Sequence, residues 1–265
     1  MGTPAPASAL YPAREAGVTS PPDASLRGRL GRRLRRMPPA RRQRWALAWA
    51  ALAAEDAGRP LRVLDAGCED ALFTVDVARR RPGWRIVGLD LSEDAVAMGL
   101  EEQRRAGVTN LLLACADATR PLTAVPVDVV VALECLAEIP DDRAAAARFA
   151  EALRPGGLLV AHVPVADWRP ALARSARTWR REVRHGYTPE GLTELLTSSG
   201  FTDVRLSPTM RSTVMVAQEV RDHVKHSPGA VRAALYPAMV AAARLDAAGA
   251  TWGPSRGLFV TARRE

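Results

Sequence analysis

The chain has 265 residues, 48% of them hydrophobic, which is enough for one large α/β domain with a sizeable core. Its formal net charge of +8 arises from nine arginines within residues 27–44, where no aromatic side chains are interleaved to stack on single-stranded nucleic acid. No apolar run approaches the roughly 20 residues of a membrane-spanning helix. The composition predicts no membrane span. A basic cluster can bind nucleic acid or anionic lipid, but we interpret this one as a solvated helix face.

The N-terminal region is predicted to contain a tail and two helices. Residues 1–24 are rich in Pro, Ala and Ser without periodicity, which predicts a disordered tail. Residues 25–60 are predicted to form helices that are interrupted at Met37-Pro38-Pro39, because proline removes a donor and clashes with the preceding turn. The stretch WALAWAALAA (45–54) superficially resembles a signal peptide, but it runs almost directly into the first strand, so we interpret it as a packed helix.

From residue 61 onward, short β-rich runs alternate with helical segments. This alternation predicts a Rossmann-like, doubly wound α/β sheet that is mostly parallel and covered on both faces. The predicted strands are Arg62–Ala66, Arg85–Leu89, Leu111–Ala114, Asp128–Leu133 and Leu158–Val163, and the helices between them lie near Leu72–Arg80, Glu93–Ala106 and Arg143–Leu153.

The C-terminal part adds a helix, two strands and a helical insertion. Thr188 as N-cap and Pro189 in the first helical position predict a helix that ends at Gly200. The remaining predicted elements are strands at Phe201–Leu206 and Gly257–Ala262 and helical patterns at Val214–His226 and Ala230–Ala248. A parallel strand ends at the ligand-binding edge, so we predict that the insertion at about residues 207–256 forms a lid together with the N-terminal helices.

Glycine and carboxylate residues follow the first three strands. Gly67 ends VLDAG, where a tight strand-to-helix turn needs positive φ or a close approach of the backbone to a ligand. Asp90 ends the second strand, where a carboxylate can accept both ribose hydroxyls of an adenosine. Asp117 follows the third strand and can receive the adenine amino group. These residues predict an adenosine site at the carboxyl edge of the sheet, and the missing GxGxxG pattern disfavours a NAD dehydrogenase.

The ordered segments VLDAGC, GLDLSEDAV, CADATRPL, DVVVALECLAEIPDD and LRPGGLLVAHVP resemble class I S-adenosylmethionine-dependent methyltransferases, most closely the bacterial small-molecule branch. The resemblance implies a last strand that is antiparallel, a methyltransferase domain over residues 61–265, S-adenosylmethionine as cofactor and S-adenosylhomocysteine as product. It implies that Asp65 and Gly67 border the methionine moiety, that Asp90 holds the ribose, and that Leu133 and Glu134 lie beneath the sulfonium. The other cofactor-binding residues that it implies are Ala66, Cys68, Glu69, Leu91, Asp117 and Ala118.

Two positions depart from this pattern. The family usually carries glycine where this chain has Glu69, and often glycine where it has Ala71. The extra methyl of alanine is expected to be tolerated, whereas glutamate places a carboxylate near the cofactor's own carboxylate or against its α-ammonium. We interpret the loop as a rebuilt, working site, with a weakened or repurposed site as the alternative.

Methyl transfer from a sulfonium is an in-line displacement, so the enzyme positions a nucleophile and in some cases deprotonates it. The candidate bases are Glu134, Glu138 and His162, with His185 and Tyr187 as further options. In the family that this chain resembles, many members have a histidine at the position of Glu138. Each of these residues can instead serve in capping, salt bridging or packing. No metal is expected, because Cys68, Cys115 and Cys135 form no CxxC pair and the histidines add no close partner. The well-separated cysteines also fit a reducing cytoplasm.

A tryptophan- and arginine-rich stretch after the fifth strand is the predicted acceptor-binding segment. Trp168 and Trp179 supply flat apolar faces, Arg174 supplies a bidentate donor for an anionic or glycosylated acceptor, and Tyr187 lies in the following loop. The alternative is a solvated connector helix.

The sequence therefore predicts a bacterial, cytoplasmic biosynthetic enzyme that methylates an O, N or C atom of a small metabolite, such as a natural product or sugar-like precursor. The partner is a small-molecule acceptor, and a homodimer remains open. The alternatives are a protein of this fold that binds S-adenosylmethionine but catalyses a non-methylating reaction such as cyclisation, and a non-catalytic binding partner.

Overall fold

The fold is built on one twisted seven-stranded sheet. The computed structural model describes residues 38–166, 185–224, 227–248 and 253–265. The strands are β1 (Arg62–Ala66), β2 (Arg85–Asp90), β3 (Leu111–Cys115), β4 (Val127–Leu133), β5 (Leu153–Pro164), β6 (Phe201–Thr209) and β7 (Gly257–Arg264), in the spatial order β3-β2-β1-β4-β5-β7-β6. β7 runs antiparallel to both of its neighbours, so the other strands all point the same way. The predicted Rossmann-like fold, with an antiparallel last strand, is confirmed.

Seven α-helices fall within the described residues. They are α1 (Pro39–Glu55), α2 (Leu72–Arg80), α3 (Glu93–Ala106), α4 (Asp142–Ala152), α5 (Pro189–Ser198), α6 (Ser212–His223) and α7 (Gly229–Ala247), with a short 3-10 turn at Leu136–Glu138. Several begin at side-chain caps: the Ser92 hydroxyl accepts from Ala95 N at 3.2 Å, and the Thr188 hydroxyl accepts from Gly191 N at 3.1 Å. These caps satisfy backbone donors that a helix start leaves unpaired.

Alternate residues of the central strand supply the two halves of the core. In β4, Val130 and Ala132 pack into a cluster with Phe149 of α4. Val129 and Val131 pack into a second cluster on the other face, which contains Phe73 of α2. Because side chains alternate across a strand, a strand buried on both faces must be apolar throughout, as β4 is.

Helices α1, α6 and α7 pack together as a helical cover over the carboxyl edge near β6. The buried Gln43 amide of α1 donates to Asp246 of α7 and accepts from Met210 N at 3.1 Å. Asp246 also accepts from Arg211 N at 3.2 Å. A small apolar cluster completes this contact and consists of Ala40, Met210, Val214, Met215 and Ala243. We call α1, α6 and α7 the helical cover.

The bounds differ from the predicted ones mainly in β5. This strand begins at Leu153 rather than Leu158, because Leu153 pairs with Val127 before a break in register between Val127 and Val129. The predicted tail and the first N-terminal helix lie outside the described residues. Within the described part of the chain, none of the helices combines the length and the apolar character needed to cross a membrane.

Candidate functional site

The loop after β1 rests on a buried carboxyl group. Asp65 is 4% exposed and accepts a hydrogen bond from the Thr74 hydroxyl of α2 at 2.5 Å. Burial raises the pKa of Asp65 from 3.8 to about 7, against the Thr74 hydrogen bond and with a further contribution from the nearby Asp90 carboxylate. The contact ties the end of β1 to the helix that follows the loop.

The loop itself takes left-handed backbone conformations at three positions. Gly67 has φ +75°, and a Cβ added there would lie 2.4 Å from the Cβ of Cys135, so only glycine fits. Glu69 and Ala71 have φ of 51° and 52°. These are the two positions where the family pattern favours glycine, because a side chain in this region costs roughly 1–2 kcal/mol. At positions 69 and 71 the chain therefore keeps the left-handed conformation without glycine, the residue that adopts it most easily.

Asp90 is held beside this loop by two backbone amides. Its carboxylate accepts from Glu69 N at 2.8 Å and from Ser92 N at 2.9 Å. The side chain is partly exposed, and each carboxylate oxygen retains capacity for a further donor. The end of β2 therefore presents an oriented carboxylate next to the turn that contains Gly67.

The Glu69 side chain turns away from Asp90 and towards the helical cover. Its carboxylate pairs with the Arg41 guanidinium of α1, which also reaches Asp70 at 3.4 Å. Arg41 in turn lies 5.9 Å from the ring of Trp45. Arg41 of α1 is thus a partner of the Glu69 carboxylate that was not predicted from the sequence.

The third strand contributes a tight turn at the same edge. The Asp117 carboxylate accepts from the amide and the hydroxyl of Thr119, both at 2.8 Å, while the residue as a whole stays exposed. Ala116 N donates to Asp90 O at 2.9 Å, which joins this turn to the end of β2. Ala118 and Leu91 are partly buried beside it. Asp65, Gly67, Asp90 and Asp117 lie along one edge of β1–β3, which we call the cofactor edge.

A second group of polar side chains lies across the carboxyl ends of β4, β5 and β6. Glu134 follows β4 with φ 68°, and its carboxylate is hydrogen-bonded to Nδ1 of the fully buried His162 of β5. His162 Nε2 lies 2.8 Å from the Thr209 hydroxyl of β6. Arg44 of α1 places Nη1 3.8 Å from a Glu134 carboxylate oxygen. We call Arg44, Glu134, His162 and Thr209 the Glu134 cluster.

The charge states in this cluster follow from the neighbours of each group. Burial acts to raise the pKa of Glu134, but the charge of Arg44, the hydrogen-bonded His162 and the charge of Arg256 outweigh it and lower the pKa to about 2. Burial lowers the pKa of His162, and Arg44 and Arg256 act in the same direction against the opposing Glu134 carboxylate. An ionised carboxylate only accepts hydrogen bonds, so Nδ1 of a neutral His162 carries the proton and Nε2 accepts from Thr209.

The predicted bases differ sharply in their surroundings. Both ring nitrogens of His162 are occupied, whereas His185 is exposed. Glu138 is partly buried at the end of the 3-10 turn. The structure brings together two of the candidates, His162 and Glu134, and within the described part of the chain it does not add Glu138 or His185 to the same hydrogen-bonded cluster.

Of the predicted acceptor residues, only Tyr187 is described. It is 7% exposed, and its hydroxyl lies 3.1 Å from Leu136 O and 2.9 Å from the Asp142 carboxylate. Its backbone pairs with Val165 after β5. The side chain therefore fastens the 3-10 turn and the start of α4. Trp168, Arg174 and Trp179 lie outside the described residues.

Sequence reasoning missed the contributions of Arg41, Arg44, Thr209 and Gly257. The arginines were interpreted as part of a solvated face, although their spacing of three places both on one side of a helix. Gly257 has no room for a side chain, because an added Cβ would lie 2.4 Å from Cε1 of His162. Its sequence context, at the start of an apolar strand, does not distinguish it from a turn glycine.

Comparison with known proteins identifies the family of the chain. A family model described as a methyltransferase domain matches residues 35–206, well over half of the chain. The chain therefore belongs to the methyltransferase domain family. It is 33% identical over 155 residues to the trans-aconitate 2-methyltransferase of Streptomyces avermitilis, a match that covers 53% of this chain and 57% of that protein. The match thus spans little more than half of that relative.

Two solved structures share the fold. The N-methyltransferase NodS from Bradyrhizobium japonicum, in complex with S-adenosylhomocysteine, superposes with a TM-score of 0.55 at 21% identity, over 88% of this chain and 90% of that one. The [4+2]-cyclase SpnF superposes with a TM-score of 0.59 at 23% identity, over 83% and 80% of the two chains. At these identities the likeness concerns the fold.

S-adenosylmethionine is the cofactor of this family, and the residues present fit it. The Asp90 carboxylate is oriented by two amides and remains accessible, as a group that accepts from a ribose diol must be. Gly67 leaves the loop without a side chain, and Glu69 is drawn to Arg41 rather than across the loop.

Proposed function

We propose that the chain is an S-adenosylmethionine-dependent methyltransferase that methylates an O, N or C atom of a small metabolite, such as a natural product or a sugar-like precursor. The observation that carries the proposal is the Asp90 carboxylate, held by Glu69 N and Ser92 N beside the left-handed turn at Gly67. In an open parallel sheet, ligands bind at the carboxyl edge where the strand order reverses, which here is between β1 and β4.

The cofactor edge is assigned by the same reasoning. Asp90 holds the ribose hydroxyls, and the backbone from Ala66 through Gly67 and Cys68 to Glu69 borders the methionine moiety. Leu91, Asp117 and Ala118 surround the adenine. Leu133, the last residue of the neighbouring strand β4, and Glu134, which follows it, would border the sulfonium. When bound, the cofactor supplies an electrophilic methyl group. Asp65 supports the loop through Thr74 and borders the methionine moiety.

The acceptor belongs on the other side of the switch point, over β4 and β5 and under the helical cover. Transfer to a nucleophile held in line needs orientation above all. His162 acts as a positioning residue, because both of its nitrogens are engaged and it donates to Glu134. Glu134, which is 25% exposed, accepts a hydrogen bond from the acceptor. Glu138 and His185 remain candidates for proton removal.

Calorimetry with S-adenosylmethionine and S-adenosylhomocysteine tests this assignment. The change Asp90→Ala is expected to weaken binding by about 1–3 kcal/mol, the scale of a lost hydrogen bond to a charged group. Glu101→Ala, which removes an exposed carboxylate of α3 that pairs with Arg104 and Arg105, is the matched control and should bind normally. Unchanged affinity in Asp90→Ala would contradict the adenosyl placement.

The non-methylating alternative has a separate readout. A methyltransferase forms one S-adenosylhomocysteine for each product, whereas a cyclase of this fold converts its substrate without forming any. The departure at Glu69 does not by itself favour the repurposed site, because Arg41 receives the extra carboxylate. Turnover without S-adenosylhomocysteine would replace the present proposal with this alternative.

A further inference from the structure

Arg44 and Glu134 form an ion pair whose hydrogen bonds are incomplete. The closest approach is 3.8 Å, from Arg44 Nη1 to a Glu134 oxygen, which is longer than a hydrogen bond. Among the residues that the structure describes, the other polar contact of the guanidinium is the Met210 sulfur, also at 3.8 Å. The two side chains are 18% and 25% exposed, so both are largely desolvated yet reachable by a ligand.

Each group keeps unused hydrogen-bonding capacity. A guanidinium has five N–H donors, and among the described residues no oxygen lies within hydrogen-bonding distance of those of Arg44. Glu134 receives a hydrogen bond from His162 at one oxygen, and in the described part of the chain its other oxygen has no donor. Burying charged groups in this state is costly unless a partner completes them.

The pair is positioned where an acceptor would meet the methyl group. Glu134 immediately precedes Cys135, whose side chain packs against the backbone of Gly67 in the cofactor loop. Arg44 bridges from Glu134, at the end of β4, to Met210, just past β6, and so lies over the end of β5. Cofactor and pair are therefore neighbours on opposite sides of the switch point.

The two charges side by side restrict what can bind. A ligand with only a negative charge would be attracted by Arg44 but repelled by Glu134. A ligand with only a positive charge would be attracted by Glu134 but repelled by Arg44. A ligand with both an anion and an ammonium donor satisfies each group and leaves neither charge opposed. The Glu134 carboxylate cannot move aside easily, because it is hydrogen-bonded from the buried side to His162, whose other ring nitrogen is held by the Thr209 hydroxyl.

We propose that Arg44 and Glu134 together recognise an acceptor that bears a carboxylate close to an ammonium group, with Arg44 binding the carboxylate and Glu134 the ammonium. This inference rests on the proposed function, since it assigns the acceptor class of the same site. It makes Arg44 a specificity-determining residue for methyl transfer.

Binding to the full-length protein saturated with S-adenosylhomocysteine tests the proposal without requiring turnover. The probes are glycine, β-alanine and L-phenylalanine, each compared with the carboxylate that lacks the amine (acetate, propionate, 3-phenylpropionate) and the amine that lacks the carboxylate. Saturation-transfer NMR and calorimetric titration measure affinity. At least one amino acid is expected to bind about tenfold or more tightly than either of its singly charged analogues.

Variants assign the binding to the pair. Arg44→Gln should lower the affinity for the amino acid about tenfold or more. Arg44→Lys should have an affinity between those of Arg44→Gln and the unaltered protein, because lysine keeps the positive charge but cannot donate two parallel hydrogen bonds to a carboxylate. Glu134→Gln keeps an oxygen for His162. It should weaken binding of the amino acid and strengthen binding of the plain carboxylate, because the repelling charge is removed. Arg104→Gln, an arginine that is 74% exposed on α3, is the matched control.

Each outcome has one meaning. Amino acids that bind no better than their analogues, or that bind equally to Arg44→Gln, would overturn the acceptor class. Loss of S-adenosylhomocysteine affinity in Arg44→Gln, with the fold intact by circular dichroism, would also overturn it, because the pair would then hold the cofactor's own amino-acid end. Failure of the unaltered protein to bind S-adenosylhomocysteine would instead refute the proposed function.

Discussion

Gly257→Ala is a minimal change with a large expected effect. A Cβ at this position would lie 2.4 Å and 2.5 Å from Cε1 and Nε2 of His162 and 2.9 Å from the Thr209 hydroxyl. The imidazole is fully buried and is held by Glu134 on one side and Thr209 on the other. One methyl group therefore forces the ring, the strand or both to move.

The expected cost has two parts. Overpacking a filled core by a methyl group costs about 1–3 kcal/mol. Displacing the ring also strains or breaks its hydrogen bond to Thr209, which contributes about 1 kcal/mol. We expect the free energy of unfolding to fall by about 2–4 kcal/mol. Since a domain of this size loses roughly 2–4 °C per kcal/mol, the melting temperature should fall by roughly 4–16 °C.

Urea unfolding followed by circular dichroism measures this loss, with Gly83→Ala as control. A Cβ at Gly83 meets nothing within 4 Å, so that variant should be neutral or slightly stabilised. His162→Ala removes the clash, so combining it with Gly257→Ala should cost less than the sum of the two. Two results would refute the predicted contact between position 257 and His162. One is a loss of unfolding free energy below about 0.5 kcal/mol in Gly257→Ala, which is the range of ordinary surface substitutions. The other is strict additivity of the two substitutions.

Two further predictions concern the cofactor loop. The folded state takes up a proton on Asp65 below pH 7, whereas the unfolded chain does so only near 3.8, so this group adds stability as pH falls between those values. Relative to Asp65→Asn, the unaltered protein should gain about 2–3 kcal/mol between pH 7 and pH 5 in urea titrations, and a pH-independent difference would show that the carboxyl titrates normally. At position 69, φ is 51°, so Glu69→Gly should be more stable than Glu69→Ala by about 1 kcal/mol, although both lose Arg41. The reverse order in thermal melts would contradict the left-handed conformation of this residue.

Local chemistry made most of the secondary structure predictable. Helices α2 and α3 have the predicted bounds, because an apolar stripe and, for α3, the Ser92 cap and the left-handed Gly107 act within a few residues. The strands next to Asp65 and Asp90 were equally clear, since runs buried on both faces are apolar throughout. The predicted start of β5 was wrong, because it depends on pairing with Val127 of another strand.

In the candidate site, too, the features set by local sequence could be predicted and those set by long-range contacts could not. Gly67, Asp90 and Asp117 could be predicted to share an edge, because parallel strands in a right-handed alternation end together whatever their side chains contact. Position 69 shows the limit of that reasoning: its departure from glycine was visible, but the partner of its carboxylate was not.

The amino-acid order alone determined the sheet, its helices and the residues of the cofactor edge, because these follow from periodicity and from signals a few residues long. Only the tertiary structure decided that Arg41 and Arg44 turn inward to Glu69 and Glu134, and that His162 is buried neutral against Gly257. Those contacts join residues 28 to 95 positions apart in the chain, where the direction of a side chain depends on how α1 and β7 pack against the sheet. The sequence pattern around a charged side chain is the same whether that side chain is solvated or paired. The packing of the helices and strands therefore decides which of the two it is.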